Sequence, residues 1–236
     1  MRASLTIQTI QHAFPFLEAF ASSLGYERHI PVSVETLATT SEQKAAVEKL
    51  KKTLDAHKSD KARKHTYHHL YGTLLKNREK ITAVLEIGLG TNNTDVVSNM
   101  GKAGTPGASL RAFRDFLPHA MIYGADVDKR VLFSEERIQT FYVDQTRRAT
   151  CEELMQQIPE ELDLIIDDGL HSIDANIAVL TAGLPKLKIG GTIVIEDIAH
   201  NTLPFWHVVA SILPDTYQAT LYEANDALLF GVLRLS

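Results

Sequence analysis

The stretch VLEIGLGTNN, residues 84–93, decides the fold. Val84, Leu85 and Ile87 form a short apolar run that suits a strand buried on both faces, and Gly88 and Gly90 then place a turn at its carboxyl end. Glu86 interrupts that run with a carboxylate. In an open parallel sheet, ligands sit outside the carboxyl ends of the strands, near the point where strand order reverses, so Glu86, Gly88 and Gly90 lie on a binding edge. A carboxylate at the mouth of a turn that usually receives an anion calls for a ligand of another charge.

The same punctuation recurs downstream. AVLEIG, AMIYGAD, IQTFYVD, LDLIIDD, GGTIVIED, YQATLYEA and ALLFGVLRL are short apolar segments, and five of the seven end in an acid or glycine followed by a connecting stretch. That is the order of a parallel βαβ sheet covered on both faces. The last two are separated only by a turn around Asn225 and Asp226, which predicts an antiparallel hairpin. Before about residue 80 the period is helical instead, through Ile7, Ile10, Phe14, Leu17, Ala21 and Leu24, then Leu37, Val47, Leu50 and Leu54. Pro15 should start or kink the first helix, and YERHIPVS reads as the break before the second. The expected organisation is a helical extension over residues 1–58 and one α/β domain over 59–236.

Composition bounds the partners. A chain of 236 residues, 44% hydrophobic, can bury one substantial core. Its formal net charge of −5 disfavours broad adhesion to nucleic acid or anionic membrane and favours a small-molecule substrate. Cys151 is the only cysteine, which excludes an intrachain disulfide and suits a reducing compartment. No run reaches membrane-spanning length, and Thr6, Gln8, Thr9, Gln11 and His12 stand where a signal peptide would be apolar. A soluble, cytoplasmic protein is expected.

A nicotinamide dinucleotide does not suit the binding edge. The third glycine of G-x-G-x-x-G is here Asn93, Glu86 would face a phosphate, and Asp126 follows Gly90 by 36 residues where the dinucleotide fingerprint needs about 20. A ribose-bearing cation without phosphate fits better, and S-adenosylmethionine is one. With VLEIGLG, YGADVD and YVDQT at three successive strand ends, the chain resembles the class I S-adenosylmethionine-dependent methyltransferases. The resemblance implies a Rossmann-like, mostly parallel seven-stranded sheet ending in an antiparallel hairpin. It also implies that Gly88 and Gly90 admit the methionine part, Asp126 holds the ribose hydroxyls, and Asp144 lies near adenine.

Further motifs narrow the branch. SDKARKHTYHHLY, GTPGASLRAFRDFLP, DDGLH and IED resemble the metal-dependent sugar O-methyltransferases of macrolide biosynthesis and the related cephalosporin hydroxylase family, over about Ser59 to Ile198. By that resemblance Asp168, Glu196 and Asp197 bind Mg²⁺, His171 is the base, and His65 and Tyr67 border the cofactor pocket. Leu170 stands where the family often has serine. Physical reasoning reaches the metal separately. If the fourth and fifth strands are neighbours, their ends lie about 5 Å apart, and acids just past each end can converge on one ion. Hard oxygens without cysteine favour Mg²⁺ over zinc. Without a cation, Asp167-Asp168 and Glu196-Asp197 would repel at a crowded sheet edge. His171 would sit at the entrance of a helix beginning near Ser172 or Ile173, where helix dipole and metal favour the neutral imidazole and nearby acids oppose them.

Other residues carry less. His65, His68 and His69 have chelating spacing but no acid or cysteine to complete a set, so a half-exposed helix face is the better reading. The lysines and arginines from Lys51 to Lys64 are interrupted by Asp55 and Asp60 and read as a solvated helix. Trp206 and Phe205 either wall the substrate pocket or fill the core. Three functions follow: a metal-dependent O-methyltransferase of a sugar or other hydroxylated small molecule, a nucleic-acid methyltransferase, and a hydroxylase-like or non-catalytic relative. DDGLH stands where base-amine enzymes of this fold carry an Asn-Pro-Pro-Tyr-like turn, which disfavours the second. The first 58 residues could form a homo-oligomer surface or a substrate lid.

Overall fold

The computed structural model describes residues 2–26, 29–225 and 227–236, with side chains from residue 13 onward. Ile7 and Ile10, expected on the buried face of the first helix, have side chains outside that range, and so does Asp226 of the expected hairpin turn.

The chain begins with helix α1 (Arg2–Ser23), which runs through Pro15 instead of starting there. A two-residue strand β1 (Val32–Ser33) lies in the expected break. Helix α2 (Ser41–Ala56) opens on a capping box in which the Thr40 hydroxyl accepts from the Gln43 amide and the Gln43 side chain accepts from the Thr40 amide, satisfying two free helix-end donors. Short helices α3 (Asp60–Arg63) and α4 (His68–Leu74) follow. Gly72 lets α4 close on α2, since a Cβ there would stand 2.6 Å from the Val47 Cα.

From here strands and helices alternate: β2 (Ala83–Ile87), α5 (Ala108–Phe116), β3 (Met121–Asp126), β4 (Ser134–Glu135), β5 (Ile138–Tyr142), α6 (Arg148–Gln157), β6 (Leu162–Asp167), α7 (Ile173–Gly183), β7 (Leu187–Ile198), α8 (Leu203–Ile212), β8 (Tyr217–Ala224) and β9 (Ala227–Arg234). All seven expected strands are present, and β8 and β9 form the antiparallel hairpin. The sheet has nine strands rather than seven among the described residues, in the order β1-β8-β9-β7-β6-β2-β3-β5-β4. The two additions are β1 parallel to β8 and β4 antiparallel to β5, both too short for hydrophobic alternation to announce them.

Strand alternation divides the core. Ala83, Leu85 and Ile87 of β2 face a cluster with Cys151 and Leu154 of α6, Val179 of α7 and Trp206 of α8. Val84 faces a second cluster with Leu50 and Leu54 of α2, Tyr71 of α4 and Phe113 of α5. Leu164 and Ile166 of β6 and Val194 of β7 share that second face, whereas Ile165, Ile193 and Ile195 share the first. Trp206 is a core residue, with its ring 4.8 Å from that of Phe230. Helix α1 rests on α8 through Phe14 and Phe205, whose rings are 5.3 Å apart, and Glu18 lies 2.5 Å from His207 Nδ1.

Candidate active site

Strand β2 sits between β6 and β3, so the chain leaves it on one side and returns on the other. A crevice opens at the carboxyl ends of such a pair. Here it holds a cavity of about 880 Å³ lined by His65, Glu86, Gly88, Gly90, Asp126, Asp144, Asp168, His171 and Asp197. Nine of the ten sequence-predicted residues other than Tyr67 therefore meet at one opening. Glu196 does not line it.

The glycine turn is built for close approach. Gly88 has φ +95°, and a Cβ there would stand 2.0 Å from the Asp168 carbonyl oxygen, so the turns after β2 and β6 touch backbone to backbone. The acids after β3 hold this turn. Asp126 accepts from the Leu89 and Asp128 amides, both at 2.8 Å. Burial raises the Asp126 pKa, and these two amides counter the shift. Asp128 accepts from Thr91 Oγ1 and Asn93 Nδ2, each at 2.7 Å, and from Arg130 Nε at 2.6 Å. Asn93, standing where a dinucleotide site has glycine, is thus a tether for the turn. Asp144 lines the cavity and accepts from the Thr146 hydroxyl at 2.6 Å.

Glu86 supplies the test of fit for the cofactor. Its carboxylate is fully buried at the cavity, 3.2 Å from Lys61 Nζ, and the Lys61 ammonium and the Ser109 side chain are its donors among the described residues. Burial pushes its pKa up, with Lys61 opposing. Two donors leave part of its acceptor capacity unused, and a buried carboxylate of that kind at the edge of the cavity suits an amino-acid ammonium.

The adjacent acids of DDGLH part company because side chains alternate across the sheet. Asp167 follows Ile165 to the face of α7, where it accepts from Gln145 Nε2 at 2.7 Å and Asn176 Nδ2 at 2.8 Å and is wholly buried. Gln145 also accepts from the Leu170 amide at 2.9 Å and so ties down the turn. Asp168 follows Ile166 to the opposite face. Its Oδ2 lies 2.7 Å from Lys61 Nζ, and its Oδ1 lies 3.8 Å from His171 Nε2.

The Glu-Asp pair divides in the same way. Glu196 follows Val194 into the interior, where Oε2 lies 2.5 Å from Lys61 Nζ and Oε1 accepts from the Tyr71 hydroxyl. Between Ile195 and Ile198 the pairing with β9 shifts register, and Asp197 adopts a left-handed φ of +52° that returns its carboxylate to the cavity. Asp197 accepts from the Tyr67 hydroxyl. His171 also has a left-handed φ, +54°. Two such non-glycine residues at one opening store backbone strain where the chemistry would take place.

Asp168, His171 and Asp197 can each offer one atom to an ion, with those atoms within 4.8 Å of one another. The two carboxylates fit a hard divalent cation, and the imidazole stands beside them. His65 reaches the cavity, while Tyr67 is buried beneath it, stacked 4.7 Å from the His65 ring.

Lys61 was missed by the sequence reading. It lies in a basic stretch that reads as solvated, yet its side chain is 2% exposed among Glu86, Asp168 and Glu196. Burial alone would lower its pKa, but the Asp168, Glu196 and Glu86 carboxylates hold it well above the ordinary lysine value. The ammonium relieves part of the repulsion that the sequence assigned wholly to a metal. His68 likewise departs from the half-exposed face expected of it, being 4% exposed.

The fold is that of the class I S-adenosylmethionine-dependent methyltransferases. No protein-family profile matches the chain. In sequence it is 29% identical over 149 residues to the 8-demethyl-8-alpha-L-rhamnosyl tetracenomycin-C 2'-O-methyltransferase of Streptomyces olivaceus, covering 63% of this chain and 37% of that protein. It is 33% identical over 122 residues to the mycinamicin VI 2''-O-methyltransferase of Micromonospora griseorubida, covering 51% of this chain and 28% of that protein. The chain thus spans only about a third of the length of these relatives. In structure it resembles the MycE methyltransferase from the mycinamycin biosynthetic pathway, solved in complex with Mg, SAH and mycinamycin VI. The TM-score is 0.63 at 22% identity, over 78% of this chain and 53% of that one. The resemblance to sugar O-methyltransferases read from the motifs is the one these comparisons find.

Proposed function

We propose that the protein is an S-adenosylmethionine-dependent, divalent-metal-dependent O-methyltransferase acting on a hydroxyl of a small molecule, a sugar or glycosylated natural product. The observation that carries this reading is the single cavity joining a glycine turn with a buried carboxylate, Glu86, to the carboxylates Asp168 and Asp197 beside His171. The sugar O-methyltransferases to which the chain is similar supply the acceptor class.

In this reading S-adenosylmethionine supplies an electrophilic methyl group, and Mg²⁺ or a similar cation supplies a Lewis acid. Glu86 receives the ammonium of the methionine part, Gly88 and Gly90 admit its backbone, Asp126 takes the ribose hydroxyls, and Asp144 borders adenine. Asp168 and Asp197 hold the cation. His171, at the opening beside Asp168, would accept the proton of the acceptor hydroxyl at its imidazole nitrogen. His65 walls the opening over Tyr67. Glu196, expected to bind the ion with Asp168 and Asp197, faces Lys61 and Tyr71 behind the cavity. Phe16 and Phe20 on α1 and Leu24 in the turn after it are exposed and form the surface that a homo-oligomer through the N-terminal helices would cover.

Methyl transfer to a panel of rhamnosyl and other deoxysugar glycosides, with and without chelator, tests the assignment. Turnover should require divalent cation, and Asp168→Ala should abolish it while S-adenosylmethionine still binds in calorimetry. His171→Ala should keep cofactor and metal but lose roughly 10²–10⁴ in rate, the range for a positioned general base. Turnover indifferent to chelator would remove the metal from the reaction.

A further inference from the structure

Lys61 is an internal cation at the centre of the carboxylate cluster. An ammonium has three donors, and three carboxylates surround this one, from β2, from the turn after β6, and from β7: Glu86 at 3.2 Å, Asp168 at 2.7 Å and Glu196 at 2.5 Å. All three acids lie on one face of the sheet, because Glu86, Asp168 and Glu196 share the side-chain parity of Val84, Ile166 and Val194. Helix α3 covers that face, and the Ser59 hydroxyl caps it by accepting from the Lys61 amide.

The contacts of Glu196 leave it little to offer an ion. One oxygen faces Lys61 and the other takes the Tyr71 hydroxyl. Its side chain is 1% exposed and lies outside the lining of the cavity. Asp168 is used differently, with Oδ2 on Lys61 and Oδ1 directed toward His171 and the opening. Asp197, re-aimed by its left-handed backbone, completes a pair of carboxylates.

We infer that Lys61 is a positioning residue that holds Glu196 out of the metal set, so that the site cation is bound by the carboxylates of Asp168 and Asp197 alone. This rests on the metal site proposed above. Mg²⁺ is commonly held by one or two protein carboxylates and keeps several coordination positions for other oxygens. Two protein acids therefore leave room for the hydroxyls of the acceptor, and a third buried acid would draw the ion away from it. The lysine also ties the cofactor end of the cavity, at Glu86, to the metal end, at Asp168.

Mn²⁺ binding, followed by the electron paramagnetic resonance signal of the free ion in the absence of cofactor and acceptor, tests this without reference to activity. Glu196→Gln keeps an oxygen for Lys61 and should leave Mn²⁺ affinity within threefold of wild type. Lys61→Met removes a positive charge from the site and frees Glu196, and should tighten Mn²⁺ binding about tenfold or more. Adding Glu196→Gln to Lys61→Met should reverse that gain. A loss of more than threefold in Glu196→Gln alone makes Glu196 a ligand and overturns the inference while leaving the metal site intact. The single Glu196 variant decides the matter even if Lys61→Met does not fold. Unchanged or weaker Mn²⁺ binding by folded Lys61→Met also overturns it. A wild-type protein that binds no Mn²⁺ overturns the metal site and this inference together.

Discussion

Asp167 and Asp168 are neighbours in sequence with different work, and Asp167→Ala separates them. The Asp167 carboxylate is fully buried and accepts from Gln145 Nε2 and Asn176 Nδ2. Each hydrogen bond to an ionised group contributes about 1.5–3 kcal/mol, and alanine would leave both amide donors buried without a partner. Burial raises the carboxyl pKa, so removing the charge returns part of that sum. A net loss of about 3 kcal/mol is expected, which for a domain of this size lowers Tm by roughly 6–12 °C. Urea unfolding followed by Trp206, the single and wholly buried tryptophan, reports it. Asp167→Asn should lose about half as much, because an amide can present an oxygen to only one of the two donors. A loss below about 1 kcal/mol for alanine at unchanged m-value would refute the assignment of Asp167 to the fold.

Two further perturbations probe the turn and the helices above it. Gly88→Ala should cost more than Gly190→Ala. Both have a positive φ and should share a left-handed penalty of about 1–2 kcal/mol, but only at Gly88 does the added methyl meet backbone, at 2.0 Å, while Gly190 faces open space. Gly88→Ala should also weaken S-adenosylmethionine binding at least tenfold in calorimetry, and equal stability losses at the two sites would dismiss the close approach as a constraint. His68 gives a pH signature. Burial, together with His69 and Lys51, lowers its pKa from 6.5 to about 4, so the unfolded chain binds the extra proton between those values. Stability should be complete above about pH 6.5 and fall by about 3 kcal/mol as pH drops toward 4. His68→Leu should flatten that part of the pH profile of unfolding, and a profile identical to wild type would mean that His68 titrates alike in the folded and unfolded chain.

Much of this architecture was legible in the chain, because strand ends here are marked by local chemistry. Gly88 and Gly90 after an apolar run, Asp126 and Asp144 after the next two, and DDGLH and IED after two more place the binding edge without any knowledge of packing. Parallel strands with helical crossovers bring such ends to one side of a sheet whatever the details of the core. Strands β1 and β4 were not legible, since two residues carry no periodicity and pair only because a longer neighbour offers an edge. What tertiary structure alone decided is which acid faces which partner. Asp167 and Asp168, like Glu196 and Asp197, look equivalent as dipeptides, but alternation across the sheet sends one to the interior and one to the cavity, and a register shift with left-handed backbone at Asp197 reverses the expected direction. Lys61 shows the same limit, because a lysine in a basic helix is a surface residue by composition. It becomes the central cation of the site only when α3 is laid over three carboxylates that are distant in sequence and adjacent across the strands.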